Sequence, residues 1–479
     1  MTGLAARNGG RIGLAALIAI LLLGLGLRLD YAWEARAPVY DAIAYERIAA
    51  NLEHGEGFSL GTNATQPASN YSPGLPLLAG AIYKLSGGVH ERIARLVLAL
   101  IGSLAVLFTY LIGRRLSGPA AGLTGAGIVA IYPALLEYQG MLMGEPLAAT
   151  LLSGAILAFL WASVPAPTAS RAGGAGSGVL ARSPRGRGSQ TRDRTRASRW
   201  LAPGLLLGAL ALVRPEYLGI SLVIAVVAFA WNRSNWRAGA MNAAILLAGA
   251  TVVVAPWTIH NAIALDRFVP ISTGGGQVLF AGSYLPSGGD PERVGAEVLE
   301  RHPGLTRKLS SRFVSDSATK RELAEVVVLR RLRLEQILAA LAAQRYPEME
   351  TDEALARMGR ERLWDDLSER PLDYGGFVAA KVWRAWSHGP RRVMERPGWE
   401  ALHWALVGFG LLGLVVLARQ RPSEALLFGV LLASVTAIVA LLVASPRRVL
   451  VTLPLVAALA GVGSAWLWTT VAQRRPARG

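Results

Sequence analysis

The sequence predicts a polytopic α-helical membrane protein with about ten transmembrane helices. Hydrophobic residues make up 52% of its 479 residues, and the mean hydropathy is positive, a composition too apolar for a soluble protein of this size. The apolar residues are gathered into separate runs, most of them long enough for an α-helix to cross the hydrocarbon core of a bilayer. Clusters of arginine fall in alternate connections between the runs, as expected if those connections are cytoplasmic.

The first apolar run covers residues 12–29, and the preceding Arg7 and Arg11 place the N-terminus on the cytoplasmic side. No small-residue cleavage motif follows, so we interpret the run as a retained helix and not as a removable signal peptide. Residues 200–231 form two apolar halves separated by Arg214-Pro215-Glu216, where a proline and two charges predict a turn at the outer surface. The other predicted spans are residues 92–113, 118–136, 142–164, 238–258, 399–418, 423–444 and 449–470.

Polar segments connect these spans. The first loop, residues 30–91, is predicted to be extracytoplasmic and to carry short interfacial helices, because its apolar stretch at 73–85 is too short to cross. Residues 165–199 are rich in Gly, Ser, Pro and Ala and carry eight arginines against one acid, which predicts a disordered cytoplasmic linker held near anionic lipid. The predicted divisions are a transmembrane module at 1–258, a larger, mostly helical extracytoplasmic region at 259–398, and C-terminal transmembrane helices at 399–479.

Composition excludes several classes of site. The chain contains no cysteine, so disulfides, a thiol nucleophile and cysteine-based metal sites are excluded. The histidines show no metal-ligand spacing, and we predict no metal and no cofactor. A net charge of +17 would suggest nucleic acid as the partner of a soluble protein, but here topology accounts for most arginines, so we predict membrane lipid and no nucleic acid. The segment from Lys381 to Trp386 is typical of an interfacial anchor.

A group of arginines lies at the predicted outer ends of the spans, where topology alone does not place them. For a single arginine, snorkelling to lipid headgroups explains the position as well as a function does. As a group they favour a phosphate site at the outer leaflet, because guanidinium groups present planar, permanently charged donors to phosphate oxygens. These residues are Arg92, Arg95, Arg214, Arg447 and Arg448.

Three carboxylates accompany these arginines. Asp41 follows the first span and is the leading candidate for a catalytic carboxylate, although an aspartate near a helix N-terminus is also common. Tyr45 lies one helical turn later and either contacts a ligand or packs. Glu145 begins a span at its outer end, where a carboxylate is costly unless it is solvated or paired. Glu216 is a weaker instance of the same argument.

Several stretches together resemble the bacterial family 39 glycosyltransferases, which are GT-C fold membrane enzymes similar to protein O-mannosyltransferases and the aminoarabinose transferase of lipid A. The resemblance covers nearly the whole chain, and its most specific part runs from Pro256 to Gly276. This sequence has Ser72-Pro73 where the family has a Pro-Pro pair, and His260 where arginine is usual. The resembling stretches are 41–58, 71–88 with Arg92 and Arg95 after it, 143–147, 212–216, 256–261 with 267–276, and 446–448 before Leu453-Pro454.

The resemblance implies a GT-C-like fold and a sugar donor carried on polyprenyl phosphate. Asp41 matches the acidic residue of the first loop that acts as the base, so the loop at 30–91 would be the catalytic loop. The implied reaction is an inverting transfer to a hydroxyl of a protein, lipid or glycan acceptor, at the extracytoplasmic face of a bacterial inner membrane. The residues expected to bind substrate are Tyr45, Arg92, Arg95, Glu145, Arg214, Glu216, Arg447 and Arg448.

Other functions fit part of the same pattern. A transporter or flippase for a lipid-linked precursor would also use outer arginines and acids within the membrane. The halves of the chain show no evident internal repeat, and transporters do not need a large polar outer region, so we rank this alternative second. A polymerase or ligase acting on polyprenyl-linked sugars is a nearer alternative.

Overall fold

The computed structural model describes residues 2–34, 40–61, 67–164, 198–232, 235–310, 333–387, 389 and 392–474. Within these ranges the chain is helical, and an isolated antiparallel bridge between Ser59 and Pro67 is the only β pairing. The prediction of a polytopic α-helical protein is therefore confirmed. Nearly all of the predicted linker at 165–199 lies outside the described residues, and so does part of the extracytoplasmic region, at 311–332.

Seven described helices are long and apolar enough to cross a membrane. A further pair of helices is bent by 50° at the break before Pro133 and counts as an eighth candidate. The bend has a local cause, because Tyr132 is extended and Pro133 begins a new helix. The long helices are α1 (Thr2–Trp33), α4 (Glu91–Ser117), α7 (Gly144–Ala162), α10 (Trp236–Leu265), α17 (Pro397–Gln420), α18 (Pro422–Leu441) and α20 (Leu453–Arg474), and the bent pair is α5 (Pro119–Ile131) and α6 (Pro133–Glu137).

The remaining two predicted runs are short helices. Helix α8 (Leu201–Val213) has 13 residues and helix α9 (Tyr217–Ala230) has 14, so each extends about 20 Å, less than the hydrocarbon thickness of about 30 Å. They meet at Arg214–Glu216, where the sequence predicts a turn. All ten predicted apolar runs are thus helical, and two of them are shorter than a full span.

Small residues bring the helices of the bundle close together. A β-carbon at Gly413 of α17 would overlap the carbonyl oxygen of Leu459 in α20, and one at Gly461 of α20 would overlap that of Ala121 in α5. Helix α20 is therefore held between α17 and α5 by backbone contact, a device typical of membrane helices. Its N-terminus follows directly on the short helix α19 (Pro446–Leu450).

Polar segments cover one end of the bundle, which we call the site end. The first loop contributes α2 (Tyr40–His54) and α3 (Gly74–Ser86). Helix α3 has only 13 residues, and Gly80 lets it pack closely against Leu52 of α2. The loop joins the next polar region through a 2.7 Å hydrogen bond that the Thr273 amide donates to the Ser69 carbonyl.

The second polar region has a hydrophobic core of its own, which includes Phe280, Leu338 and Leu355. The amide of Gly276 donates to the Asp352 carboxylate at 2.9 Å. This bond fixes the helix Gly275–Ser283 against the helix Thr351–Glu369. The described helices are α11 (Gly275–Ser283), α12 (Val294–Arg301), α13 (Pro303–Ser310), α14 (Leu334–Arg345), α15 (Thr351–Glu369) and α16 (Pro371–Ser387).

The prediction of an interfacial anchor at Lys381–Trp386 is wrong for its first residue. Trp383 is exposed, as an anchor requires, but the side chain of Lys381 is buried. The reason is that α16 is amphipathic and turns Lys381 toward α11 and α18, where backbone carbonyls accept its hydrogen bonds.

Candidate active site

Four chain segments meet at the site end of the bundle. Asp41 lies in the first turn of α2, Glu145 in the first turn of α7, and Arg214 at the turn between α8 and α9. Arg447 and Arg448 lie in α19. Prolines accompany three of these places, at Pro146, Pro215 and Pro446, because a proline fits a turn or the first turn of a helix but not its interior.

Glu145 is the centre of the charged cluster. Its side chain is 0% exposed, and one oxygen, Oε1, accepts hydrogen bonds from Arg447 Nε at 2.5 Å and from Arg214 at 2.6 Å. A second guanidinium nitrogen of Arg447 lies 2.9 Å from Asp41 Oδ2. Arg447 therefore joins Asp41 to the buried carboxylate of Glu145.

Glu216 extends the cluster on the other side. Its carboxylate lies 4.0 Å from Arg214 and 3.6 Å from Arg448 Nε. Arg448 also donates a hydrogen bond to the carbonyl of Val443. The result is an alternating row of three carboxylates and three guanidinium groups, in the order Asp41, Arg447, Glu145, Arg214, Glu216 and Arg448.

The three guanidinium groups are not equally compensated. Burial acts to lower the pKa of Arg447, but the carboxylates of Glu145 and Asp41 outweigh it and raise that pKa above its usual value. Burial lowers the pKa of Arg448, and Glu216 only partly opposes it while neighbouring arginines add to it. Arg448 is therefore less fully compensated by its carboxylate neighbours than Arg447 is.

Asp41 is the accessible member of the row. Its side chain is 40% exposed, whereas that of Glu145 is fully buried. Tyr45 lies one turn further along α2 and packs the edge of its ring against Tyr71, with 5.9 Å between ring centroids. Burial raises the pKa of Tyr45, and the charge of Asp41 adds to this effect. The tyrosine hydroxyl is thus a neutral donor beside an exposed carboxylate.

Arg92 and Arg95 are not brought into this cluster. Arg95 is buried, donates from Nε to the carbonyl of Ala32 at 3.1 Å, and lies 3.6 Å from Glu91. Arg92 stacks on the ring of Trp33 at 4.7 Å. The N-terminal turn of α4 packs against the end of α1, and this contact directs both arginines away from Asp41.

Sequence reasoning missed several residues at the site. The guanidinium of Arg447 lies 6.0 Å from the ring of Tyr138, and Tyr71 faces Tyr45. Tyr71 directly precedes Ser72-Pro73, which stands where the resembling family has a Pro-Pro pair. This position in the sequence could have singled out Tyr71 as a site residue. Among the described residues, Glu145 Oε2 and the Tyr217 hydroxyl are buried polar atoms with no hydrogen-bond partner. The described residues contain no group of three or more His, Asp or Glu side chains that could hold a metal ion.

Comparison of the sequence with protein-family models and with curated proteins finds no match. The structure, however, matches solved membrane proteins. An oligosaccharyltransferase of Archaeoglobus fulgidus in the apo form matches with a TM-score of 0.55 and 17% identity, covering 98% of this chain and 52% of that one. Archaeal oligosaccharyltransferase AglB of the same organism, in complex with an inhibitory peptide and a dolichol-phosphate, matches with a TM-score of 0.54 and 17% identity. This match also covers 98% of this chain and 52% of that one.

The chain has a GT-C fold. It spans about half the length of these oligosaccharyltransferases, so the likeness concerns the fold and not the whole activity of the larger proteins. ArnT from Cupriavidus metallidurans, bound to undecaprenyl phosphate, covers 99% of this chain at 15% identity, but its TM-score of 0.38 adds nothing to the GT-C assignment. The predicted fold class is confirmed, and membership of family 39 stays a prediction.

Proposed function

We propose that this protein is a membrane glycosyltransferase that moves a sugar from a polyprenyl-phosphate carrier to an acceptor hydroxyl. The observation that carries the proposal is the 2.9 Å contact between Asp41 and Arg447. It joins an accessible carboxylate to a row of partly buried guanidinium groups at one end of a membrane bundle. This transfer needs a base and a phosphate site, and the contact makes Asp41 and the arginines adjacent candidates for these two roles.

Asp41 is the proposed general base. Its exposed oxygen removes the proton of the acceptor hydroxyl while that oxygen attacks the anomeric carbon of the donor. The bond from the anomeric carbon to the phosphate oxygen breaks, and its electrons leave with the polyprenyl phosphate. A single displacement of this kind inverts the configuration of the sugar. Tyr45 is placed to donate a hydrogen bond to the sugar or to the acceptor.

Arg448 and Arg447 are the proposed phosphate ligands. The leaving phosphate gains negative charge during the reaction, so these guanidinium groups stabilise the transition state more than the bound donor. Glu145, Arg214 and Glu216 hold them in place within the row. Arg92 and Arg95 are outside this proposal, because their contacts are with the end of α1 and with Glu91.

The class of donor has a further support. The matching structure of AglB contains a dolichol-phosphate, which is a lipid phosphate of the proposed kind. The acceptor of the present protein is proposed only as a hydroxyl of a protein, lipid or glycan, and the sugar as a hexose. The proposed location is the bacterial cytoplasmic membrane, with the site end facing the extracytoplasmic side, as the distribution of arginines favours.

The test is transfer from radiolabelled polyprenyl-phosphate sugars to endogenous acceptors in membranes that contain wild type or Asp41→Asn. We expect the variant to lose about 10²- to 10⁴-fold in rate, because the amide cannot accept the proton. Glu53→Gln, at the far end of the same helix α2, is the matched control and should transfer normally.

Two outcomes would contradict the proposal. Full activity of Asp41→Asn would remove Asp41 as the base. No transfer by folded wild type from any donor would refute the glycosyltransferase, and uptake of a lipid-linked sugar by proteoliposomes would then support the transporter alternative.

A further inference from the structure

Lys381 is a buried basic residue that the proposed reaction does not use. Its side chain is 1% exposed, and its ammonium donates to the carbonyl of Gly282 at 2.6 Å and to that of Ala440 at 2.7 Å. It also lies 5.1 Å from the centre of the Phe377 ring. Among the described residues no carboxylate pairs with it, although burying a lysine is costly. A buried lysine with two carbonyl partners needs a specific reason.

Both carbonyls belong to the last turns of helices. Gly282 is in the last turn of α11 and Ala440 in the last turn of α18. Carbonyls at these positions have no partner within their own helix, and the C-terminal end of a helix favours a cation. Lys381, from α16, therefore joins the ends of two helices from different parts of the chain.

The segment at 442–448 begins two residues after Ala440 and carries both proposed phosphate ligands. A β-carbon at Gly282 would overlap the carbonyl carbon of Leu442, so α11 lies flush against the start of this segment. At the other end, Arg448 donates to the carbonyl of Val443. The path of the segment, and with it the direction of both arginines, depends on where the ends of α11 and α18 meet.

We propose that Lys381 is a positioning residue that fixes segment 442–448 and so directs Arg447 and Arg448 toward the lipid phosphate. The inference rests on the proposed function, because it assigns a role relative to the same phosphate. Lys381 itself does not touch the donor. Lys381 is also close enough to Arg448 for the two charges to interact. Burial lowers the pKa of Lys381 to about 7, and the charge of Arg448 adds to this effect.

The chain offers a matched control. Trp386 lies on the same helix α16 and donates from its indole to Thr436 of α18 at 3.2 Å. Like Lys381, it ties α16 to α18, but its bond does not reach α11 or the last-turn carbonyls of Gly282 and Ala440. A role in general helix packing predicts similar effects for Lys381→Met and Trp386→Phe, whereas a positioning role predicts an effect of Lys381→Met alone.

The experiment measures binding of undecaprenyl phosphate to detergent-solubilised full-length protein by microscale thermophoresis, which needs no turnover. We expect Lys381→Met to weaken binding about 10- to 100-fold, because loss of one charge-assisted hydrogen bond from a displaced arginine to the phosphate has an effect of this size. Trp386→Phe should bind within twofold of wild type. In transfer assays, Lys381→Met should raise the KM for the donor and lower kcat, while the KM for the acceptor stays unchanged.

The outcomes separate the two proposals. Wild-type affinity in folded Lys381→Met, or an equal loss in Trp386→Phe, would overturn the positioning role and leave the proposed function intact. No binding of undecaprenyl phosphate by wild type would refute the phosphate site and the positioning role together. If Lys381→Met is not monodisperse, Lys381→Arg replaces it, with the same expected loss of affinity for undecaprenyl phosphate. The guanidinium group keeps the charge and the hydrogen-bond donors, but it is larger than the ammonium group and displaces both carbonyls.

Discussion

Replacement of Glu145 by glutamine tests the centre of the charged row. The change is nearly isosteric, but it removes the charge that holds Arg447 at 2.5 Å and Arg214 at 2.6 Å. Hydrogen bonds between charged groups contribute about 1.5–3 kcal/mol each, and removing one partner of a buried pair costs about 3–5 kcal/mol. Because Glu145 is fully buried, we expect Glu145→Gln to destabilise the protein by about 3–5 kcal/mol.

The assay is thermal unfolding of the protein in detergent, followed by tryptophan fluorescence. Glu297→Gln is a matched control, because Glu297 also contacts two arginines, at 2.6 Å and 3.7 Å, but those guanidinium groups are 60% and 56% exposed. Exposed pairs contribute at most about 1 kcal/mol, so the control should unfold within a degree or two of wild type. Equal midpoints for the two variants would refute the claim that the buried Glu145 compensates Arg447 and Arg214.

Two further predictions concern pH and packing. Burial, and next the charge of Glu91, raise the pKa of Glu46 from 4.5 to about 7. The contribution of Glu46 to stability is therefore complete below about pH 4.5 and is lost as the pH rises through 7. The unfolding midpoint of wild type should fall over this pH range more than that of Glu46→Gln. Parallel plots of midpoint against pH for the two proteins would contradict this prediction. Gly282→Ala should destabilise the protein by about 1–3 kcal/mol, because its β-carbon would overlap Leu442, and it should weaken binding of undecaprenyl phosphate. Gly219→Ala is the control, because a β-carbon there meets nothing within 4 Å. It should change neither the stability nor the affinity for undecaprenyl phosphate.

Much of the architecture could be read from the sequence because a bilayer imposes strict local rules. Lipid offers no partner for backbone polar groups, so each crossing segment must be a long apolar helix. The turn at Arg214–Glu216 was predictable from a proline and two charges between apolar halves.

Part of the candidate site could be predicted for a related reason. Charged residues at span ends are costly unless they are paired, and this singled out Glu145, Arg214, Glu216, Arg447 and Arg448, which the structure brings together. The same argument included Arg92 and Arg95, which lie elsewhere. The local sequence indicates that a charged residue lies at the end of a span. It does not indicate which other helix end lies beside that residue.

The sequence by itself determined the membrane class, the helical runs and the charged residues available at one end of the bundle, because these depend on the composition of short stretches. Only the tertiary structure decided that Arg447 joins Asp41 to Glu145, and that Lys381 is buried against two helix ends and not anchored at the interface. These contacts depend on which helices pack side by side, and that is decided by close backbone approach at small residues such as Gly282 and Gly413. A single sequence does not state which distant backbone each glycine will meet.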